Sequence, residues 1–131
     1  MPTPTPKLSV VIPTMGRAIL FKTLDSLRET EGNADLEVIV VGVIPDGPVL
    51  DRVKELVAAD PRVQHLSIRY PKGDASEKRN AGYRASRADI VAFIDDDVYV
   101  PPHWTTRVLE AFAPGDVGMV SGPSLVPTDI S

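Results

Sequence analysis

The sequence contains no cysteine, only 5 % aromatic residues, and no apolar run long enough to cross a bilayer. The missing cysteine excludes disulfides, thiolate metal sites and a thiol nucleophile together, and fits a reducing compartment. The longest apolar stretch, Leu36 to Pro45, is broken by Glu37 and falls short of the ~20 residues that a spanning helix needs. Met1-Pro2-Thr3-Pro4-Thr5-Pro6 lacks the charged-then-apolar order of a secretory signal, so a cytoplasmic chain is expected, with residues 1–7 forming a disordered Pro/Thr-rich tail. Several motifs are missing as well. No G-x-G-x-x-G follows the first apolar run, no G-x-x-x-x-G-K-[ST] occurs, and no serine sits in a nucleophile elbow, which removes dinucleotide, P-loop and hydrolase readings. His65 and His103 have no His-x-x-His or cysteine company, so zinc is not expected, and His65 reads as structural.

What is present fits one soluble α/β domain. The 131 residues match the ~100–150 of a single unit, and 43 % apolar against 24 % charged residues can bury a continuous core. The net charge of −4 argues against a nucleic-acid binder held by phosphate contacts. Charge is nonetheless uneven. Arg69 to Arg87 holds six basic residues against two acids, a local +4 that leaves −8 on the remainder and suits an anion site.

Apolar periodicity gives the order of elements. Leu8 to Ile12, Leu36 to Val43, Val63 to Tyr70, Ile90 to Ile94 and Val117 to Ser121 read as strands. Between them, Leu20, Leu24 and Leu27 recur at helical spacing in a segment opened by Gly16-Arg17 and stopped by Gly32-Asn33. Val49, Val53, Leu56 and Val57 repeat the pattern after Asp46-Gly47-Pro48 and before Asp60-Pro61. Ala81, Ala85 and Ala88 give a small-residue stripe on a helix from Ala75 to Arg87, and Trp104, Val108 and Phe112 mark a fourth helix that begins near Pro101-Pro102 and ends at Pro114-Gly115. Alternation of this kind with nearly all-apolar strands predicts a mostly parallel sheet covered by helices on both faces, a three-layer α/β/α fold, with the more polar third strand at an edge.

Ligands of open parallel sheets bind beyond the carboxyl ends of the strands, so the residues that follow each strand are the candidates for chemistry. After the fourth strand come Asp95-Asp96-Asp97. Adjacent carboxylates repel and resist joint ionisation unless a cation is near, and a hard divalent ion such as Mg²⁺ or Mn²⁺ is the natural partner. A solvated acidic loop is the plain alternative. Lys78, Arg79 and Asn80 stand in the first turns of the third helix, whose N-terminus favours an anion; a solvated helix face is the plain reading, preferred for Arg84 and Arg87. Gly82 lowers helix propensity, and close packing would account for it. Pro13-Thr14-Met15-Gly16-Arg17 is a turn able to bring backbone near a ligand or simply to cap a helix. Trp104 is expected to pack, or to offer an apolar face to a sugar.

A first strand ending in Pro13-Thr14, the segment Arg79-Asn80-Ala81-Gly82, and Phe93-Ile94-Asp95-Asp96-Asp97 together resemble the inverting family 2 glycosyltransferases of the GT-A, Rossmann-like fold, over nearly the whole chain. The resemblance implies a nucleoside diphosphate sugar donor, UDP-, GDP- or TDP-linked, and a Mn²⁺ or Mg²⁺ cofactor. It assigns Pro13, Thr14 and Arg17 to the nucleoside, Arg79 with the adjacent Lys78 to the diphosphate, Asn80 to the nucleotide sugar, Asp95 to the ribose or a metal-bound water, and Asp97, with Asp95, to the metal. Asp96 is a further candidate in that signature. Members usually carry Asp-Asp-Gly-Ser after the second strand; here Gly42-Val43-Ile44-Pro45-Asp46-Gly47 stands there, with Asp46 as the substitute, so the base is left open. The acceptor, a sugar, lipid or protein, and the general base belong in the family beyond the strand resembling Val117 to Ser121. Residues 8–131 are therefore expected to be a nucleotide-sugar-binding domain lacking the acceptor half. A non-catalytic nucleotide-sugar binding module and a metal-dependent nucleotidyltransferase remain the alternatives, since carboxylates, metal and phosphate serve all three. A receiver-like domain fits less well, because its acids would follow strands one and three.

Overall fold

The computed structural model describes residues 5–68 and 75–111. The elements follow in the order β1 (Leu8–Pro13), α1 (Leu20–Arg28), β2 (Leu36–Val41), α2 (Pro48–Ala59), β3 (Val63–Leu66), α3 (Ala75–Ala85), β4 (Ile90–Phe93) and α4 (Trp104–Ala111). The four strands form one parallel sheet in the order β3-β2-β1-β4. The more polar β3 lies at an edge, as its composition requires. Strand alternation separates two cores. Leu8, Val10 and Ile12 share one face with Val38 and Val40 and meet α1, α2 and α4 through Leu24, Val53 and Trp104. Val11, Ile39 and Val41 point to the other face and meet Ala81 of α3. Helices thus cover both faces of the sheet.

The small-residue stripe of α3 has a measurable reason. A Cβ on Gly82 would sit 2.3 Å from Cγ1 of Val11, so only glycine lets α3 lie this close to β1. Gly82 is a packing residue. Differences from the sequence reading fall at element ends. The chain stays irregular through Gly16 and Arg17, where Gly16 has φ +92° and its N–H donates to Thr14 Oγ1, and α1 opens only at Leu20. α4 starts at Trp104, whose N–H donates to the Pro101 carbonyl. Order also begins before Leu8: Pro6 is buried, and the Lys7 N–H donates to the Asp35 carbonyl. The expected fifth strand at Val117 to Ser121, and Phe112 with Pro114-Gly115, lie outside the described residues.

Arg87, expected on a solvated helix face, lies beyond the end of α3 and completes a buried network instead. Glu37 of β2 is 3 % exposed and accepts hydrogen bonds from Ser9 Oγ at 2.6 Å, from the Arg87 backbone N–H at 2.9 Å and from Arg87 Nε at 3.0 Å. Ser9 Oγ also accepts from the Ala88 N–H, so the exit of α3 is stitched to β1 and β2. Burial pushes the Glu37 carboxyl up, but the bonds from Ser9 and Arg87 outweigh it and hold the group below the ordinary carboxylate range. A native pKa below the unfolded value, ~4.3 for Glu, makes this contribution fully present above that value and lost as pH falls through the native pKa. Asp60 acts in the same direction, held down chiefly by its hydrogen bond from Arg62. Stability by urea titration is therefore expected to fall steeply below about pH 4. Glu37→Gln is expected to cost about 1–3 kcal/mol at pH 7 and to flatten that acid limb; an unchanged pH profile would remove Glu37 from this role.

Candidate nucleotide-sugar site

The carboxyl ends of β1 and β4 are adjacent in the sheet, and the segments leaving them are joined by side chains. Thr14 continues the ladder past β1, its N–H donating to the Val41 carbonyl at 2.9 Å. Its Oγ1 accepts the Gly16 N–H and donates to Asp96 Oδ2 at 2.9 Å. The Arg17 Nη2 donates to Asp96 Oδ1 at 2.7 Å, and Thr23 Oγ1 of α1 donates to the Asp96 backbone carbonyl at 2.8 Å. A turn closes from Asp95 to Val98, where the Val98 N–H donates to the Asp95 carbonyl at 3.3 Å. Asp96 therefore points inward and Asp95 and Asp97 outward: the side chain of Asp96 is 8 % exposed, against 65 % for Asp95 and 51 % for Asp97.

Guanidinium groups flank the outward carboxylates. Arg79 Nη2 of α3 lies 3.8 Å from Asp95 Oδ1, and Arg17 Nη2 lies 4.0 Å from Asp97 Oδ2. The hydrogen bond to Asp96, then the charge of that carboxylate, raise the Arg17 pKa above its ordinary value, so Arg17 stays charged at any working pH. Lys78 Nζ donates to the Thr14 carbonyl at 3.3 Å, across the end of the sheet. The ends of β1 and β2 approach so closely that a Cβ on Gly42 would stand 2.1 Å from the Thr14 carbonyl oxygen, and Gly42 has φ +138°. The loop that follows leans on the same turn, with Pro45 and Ile44 against Gly16. His65 Nε2 lies 2.7 Å from the Gly42 carbonyl, a structural contact at the β2–β3 end.

The structure thus gathers Thr14, Arg17, Lys78, Arg79, Asp95, Asp96 and Asp97 at one end of the sheet, with Pro13 at the end of β1 opposite Val41. Asp46 is exposed in the turn before α2, and Asn80 is exposed on α3; no hydrogen bond joins either side chain to the cluster among the described residues. Sequence reasoning missed Thr23, fully buried on α1. A signal existed: Thr23 falls three residues after Leu20 and four before Leu27, a polar side chain inside an apolar stripe.

The donor set bears on a metal. Among the described residues no three His, Asp, Glu or Cys side chains form a cage. Two exposed carboxylates on one turn, with space for water and phosphate oxygens, fit Mg²⁺ or Mn²⁺, which commonly bind through one or two carboxylates and the substrate's phosphates.

The fold is thus a three-layer α/β arrangement with acidic residues at the carboxyl end of its parallel sheet. The sequence profile of glycosyl transferase family 2 matches residues 9–129. The chain belongs to glycosyl transferase family 2. It is 35 % identical over 115 residues to the validoxylamine A glucosyltransferase of Streptomyces hygroscopicus subsp. limoneus, a match covering 82 % of this chain and 24 % of that protein. This chain therefore spans about a quarter of that relative's length. Two solved structures share the fold. TarS of S. aureus, residues 1–349 in complex with UDP, superposes with a TM-score of 0.69 at 21 % identity, over 89 % of this chain and 38 % of that one. The mannosyltransferase PcManGT of Pyrobaculum calidifontis, in complex with GDP-Man and Mn²⁺, gives 0.60 at 24 % identity, over 76 % and 30 %.

Proposed function

We propose that this end of the sheet is the donor site of a glycosyltransferase, binding a nucleoside diphosphate sugar with a divalent cation and serving sugar transfer with inversion to a sugar, lipid or protein acceptor. The observation that carries the reading is the pair Asp95 and Asp97, turned outward on one turn and flanked by Arg79 and Arg17. The UDP of TarS and the GDP-Man and Mn²⁺ of PcManGT support a donor of this chemical class and leave the base open. The nucleoside is assigned to the surface beside Pro13-Thr14 and the loop carrying Asp46, which packs against Gly16. Asp97 and Asp95 would hold the cation, Mn²⁺ or Mg²⁺. When bound, it would supply charge neutralisation at the diphosphate.

The chain's own residues account for the rest of the donor chemistry. As the bond from sugar to diphosphate breaks, negative charge builds on the leaving oxygen, and Arg79, with Lys78 beside it, stabilises that charge where it develops. Asn80, exposed on the same helix, offers an amide to the diphosphate side. Inversion also needs a base on the opposite face of the sugar to take the acceptor's proton. By the family resemblance, that base and the acceptor site follow the segment resembling Val117 to Ser121. No described helix is long and apolar enough to cross a membrane, and the cysteine-free sequence supports a cytoplasmic site of action.

Arg79 gives the direct test of this reading. Arg79→Ala is expected to weaken nucleoside diphosphates about tenfold or more and the matching nucleosides little, since its partner is phosphate. Titration of both ligands into both proteins measures this, and equal losses would contradict the assignment.

A further inference from the structure

Asp96 contributes an unusual geometry to the acidic run. Its neighbours face solvent, whereas its own carboxylate is buried and both oxygens are committed: Oδ2 to the Thr14 hydroxyl, Oδ1 to the Arg17 guanidinium. Its backbone carbonyl is held by Thr23 of α1. Three attachments from one residue join the turn after β1, helix α1 and the turn after β4. A carboxylate buried in this way, with a partner on each oxygen, presents little surface to a ligand. Arg17 is the reverse case: its side chain is 61 % exposed, one end is fixed by Asp96, and the same Nη2 stands 4.0 Å from Asp97.

We infer that Asp96 is a positioning residue rather than a ligand contact, and that it acts through Arg17, holding the guanidinium beside Asp97 so that it meets the donor's diphosphate on the side opposite Arg79. This deepens the proposed donor site and rests on that reading. Arg17 is expected there to touch phosphate, not the nucleoside. The reason is geometric: a long, flexible side chain loses rotamer freedom when it binds, and a charged hydrogen bond at 2.7 Å places that cost in the folding of the protein rather than in ligand binding.

A double-mutant cycle on binding tests the inference. With Mn²⁺ present, titration of nucleoside diphosphate and of the corresponding nucleoside into the wild type, Arg17→Ala, Asp96→Asn and the double variant gives four affinities for each ligand. Arg17→Ala is expected to weaken the diphosphate about tenfold and the nucleoside little. Asp96→Asn, which keeps the shape, is expected to weaken the diphosphate by a smaller factor, and the double variant to be no weaker than Arg17→Ala alone. Asp96→Glu in a second arm, a longer carboxylate that still carries the charge, is expected to recover part of the loss. Losses that multiply in the double variant, or an Asp96→Asn loss equal for both ligands, would overturn the inference while leaving the donor site standing. A wild type that binds no diphosphate would overturn both. Arg17→Ala leaves the buried Asp96 carboxylate without its cation, at a cost in stability, so circular dichroism checks the fold of each variant and the nucleoside affinity serves as the reference for an intact site.

Discussion

Asp97→Ala is expected to abolish metal-dependent nucleotide binding, an affinity loss of at least about 100-fold, while leaving the fold intact. Two features of the structure separate these outcomes. Asp97 is half exposed, and its one ion-pair contact among the described residues, Arg17 at 4.0 Å, is of the kind worth about 0–1 kcal/mol at a surface. Nothing in the core depends on it. The proposed cation, in contrast, is assigned to Asp97 and Asp95 among the described residues, so the loss of one halves the charge these two supply to draw it in. Circular dichroism and a thermal melt would match the wild type, and calorimetric titration would show no gain from Mn²⁺. A variant of wild-type fold that still responds to the metal would remove Asp97 from the site.

The largest expected loss of stability falls on Gly42→Ala. The added Cβ would stand 2.1 Å from the Thr14 carbonyl oxygen, a backbone atom that cannot swing aside, and φ of +138° disfavours any side chain. Relief requires the ends of β1 and β2 to separate, and that separation displaces the Thr14 turn and with it Asp96. We expect a loss of about 3–5 kcal/mol, the sum of backbone strain and overpacking, together with weakened nucleotide binding. Gly47→Ala is the control. Gly47 has a similar φ of +149° but open space around it, so it reports strain alone, about 1–3 kcal/mol. Equal losses in the two variants by urea titration would show that the clash with Thr14 is not what fixes Gly42.

Much of this arrangement was legible in the residues, and the exceptions have physical causes. Strand alternation and the helical recurrence of Leu20, Leu24 and Leu27 depend on short-range periodicity, so the elements and their layering could be read directly. The polarity of Val63 to Leu66 even placed β3 at the edge. Element ends were harder, because long-range bonds decide them. Gly16 turns at φ +92° ahead of α1, Arg17 reaches a residue 79 positions away, and Arg87, past the end of α3, bonds a carboxylate 50 positions away. In the same way the acidic run was visible as three aspartates, but nothing local distinguishes Asp96 from its neighbours. Only the Thr14, Arg17 and Thr23 side chains, all from another part of the chain, turn it inward. Glu37 inside an apolar strand was the one clear local sign of a buried polar network, and its partner Arg87 was read as solvated.

The donor site is tested most directly by calorimetric titration of UDP, GDP, ADP and TDP into the purified 131-residue chain, with Mn²⁺ and again with EDTA. The account predicts that one of the four binds in the presence of the metal and that EDTA removes the binding, which would also name the base. A chain folded by circular dichroism that binds none of them, or binds one equally well in EDTA, would contradict it.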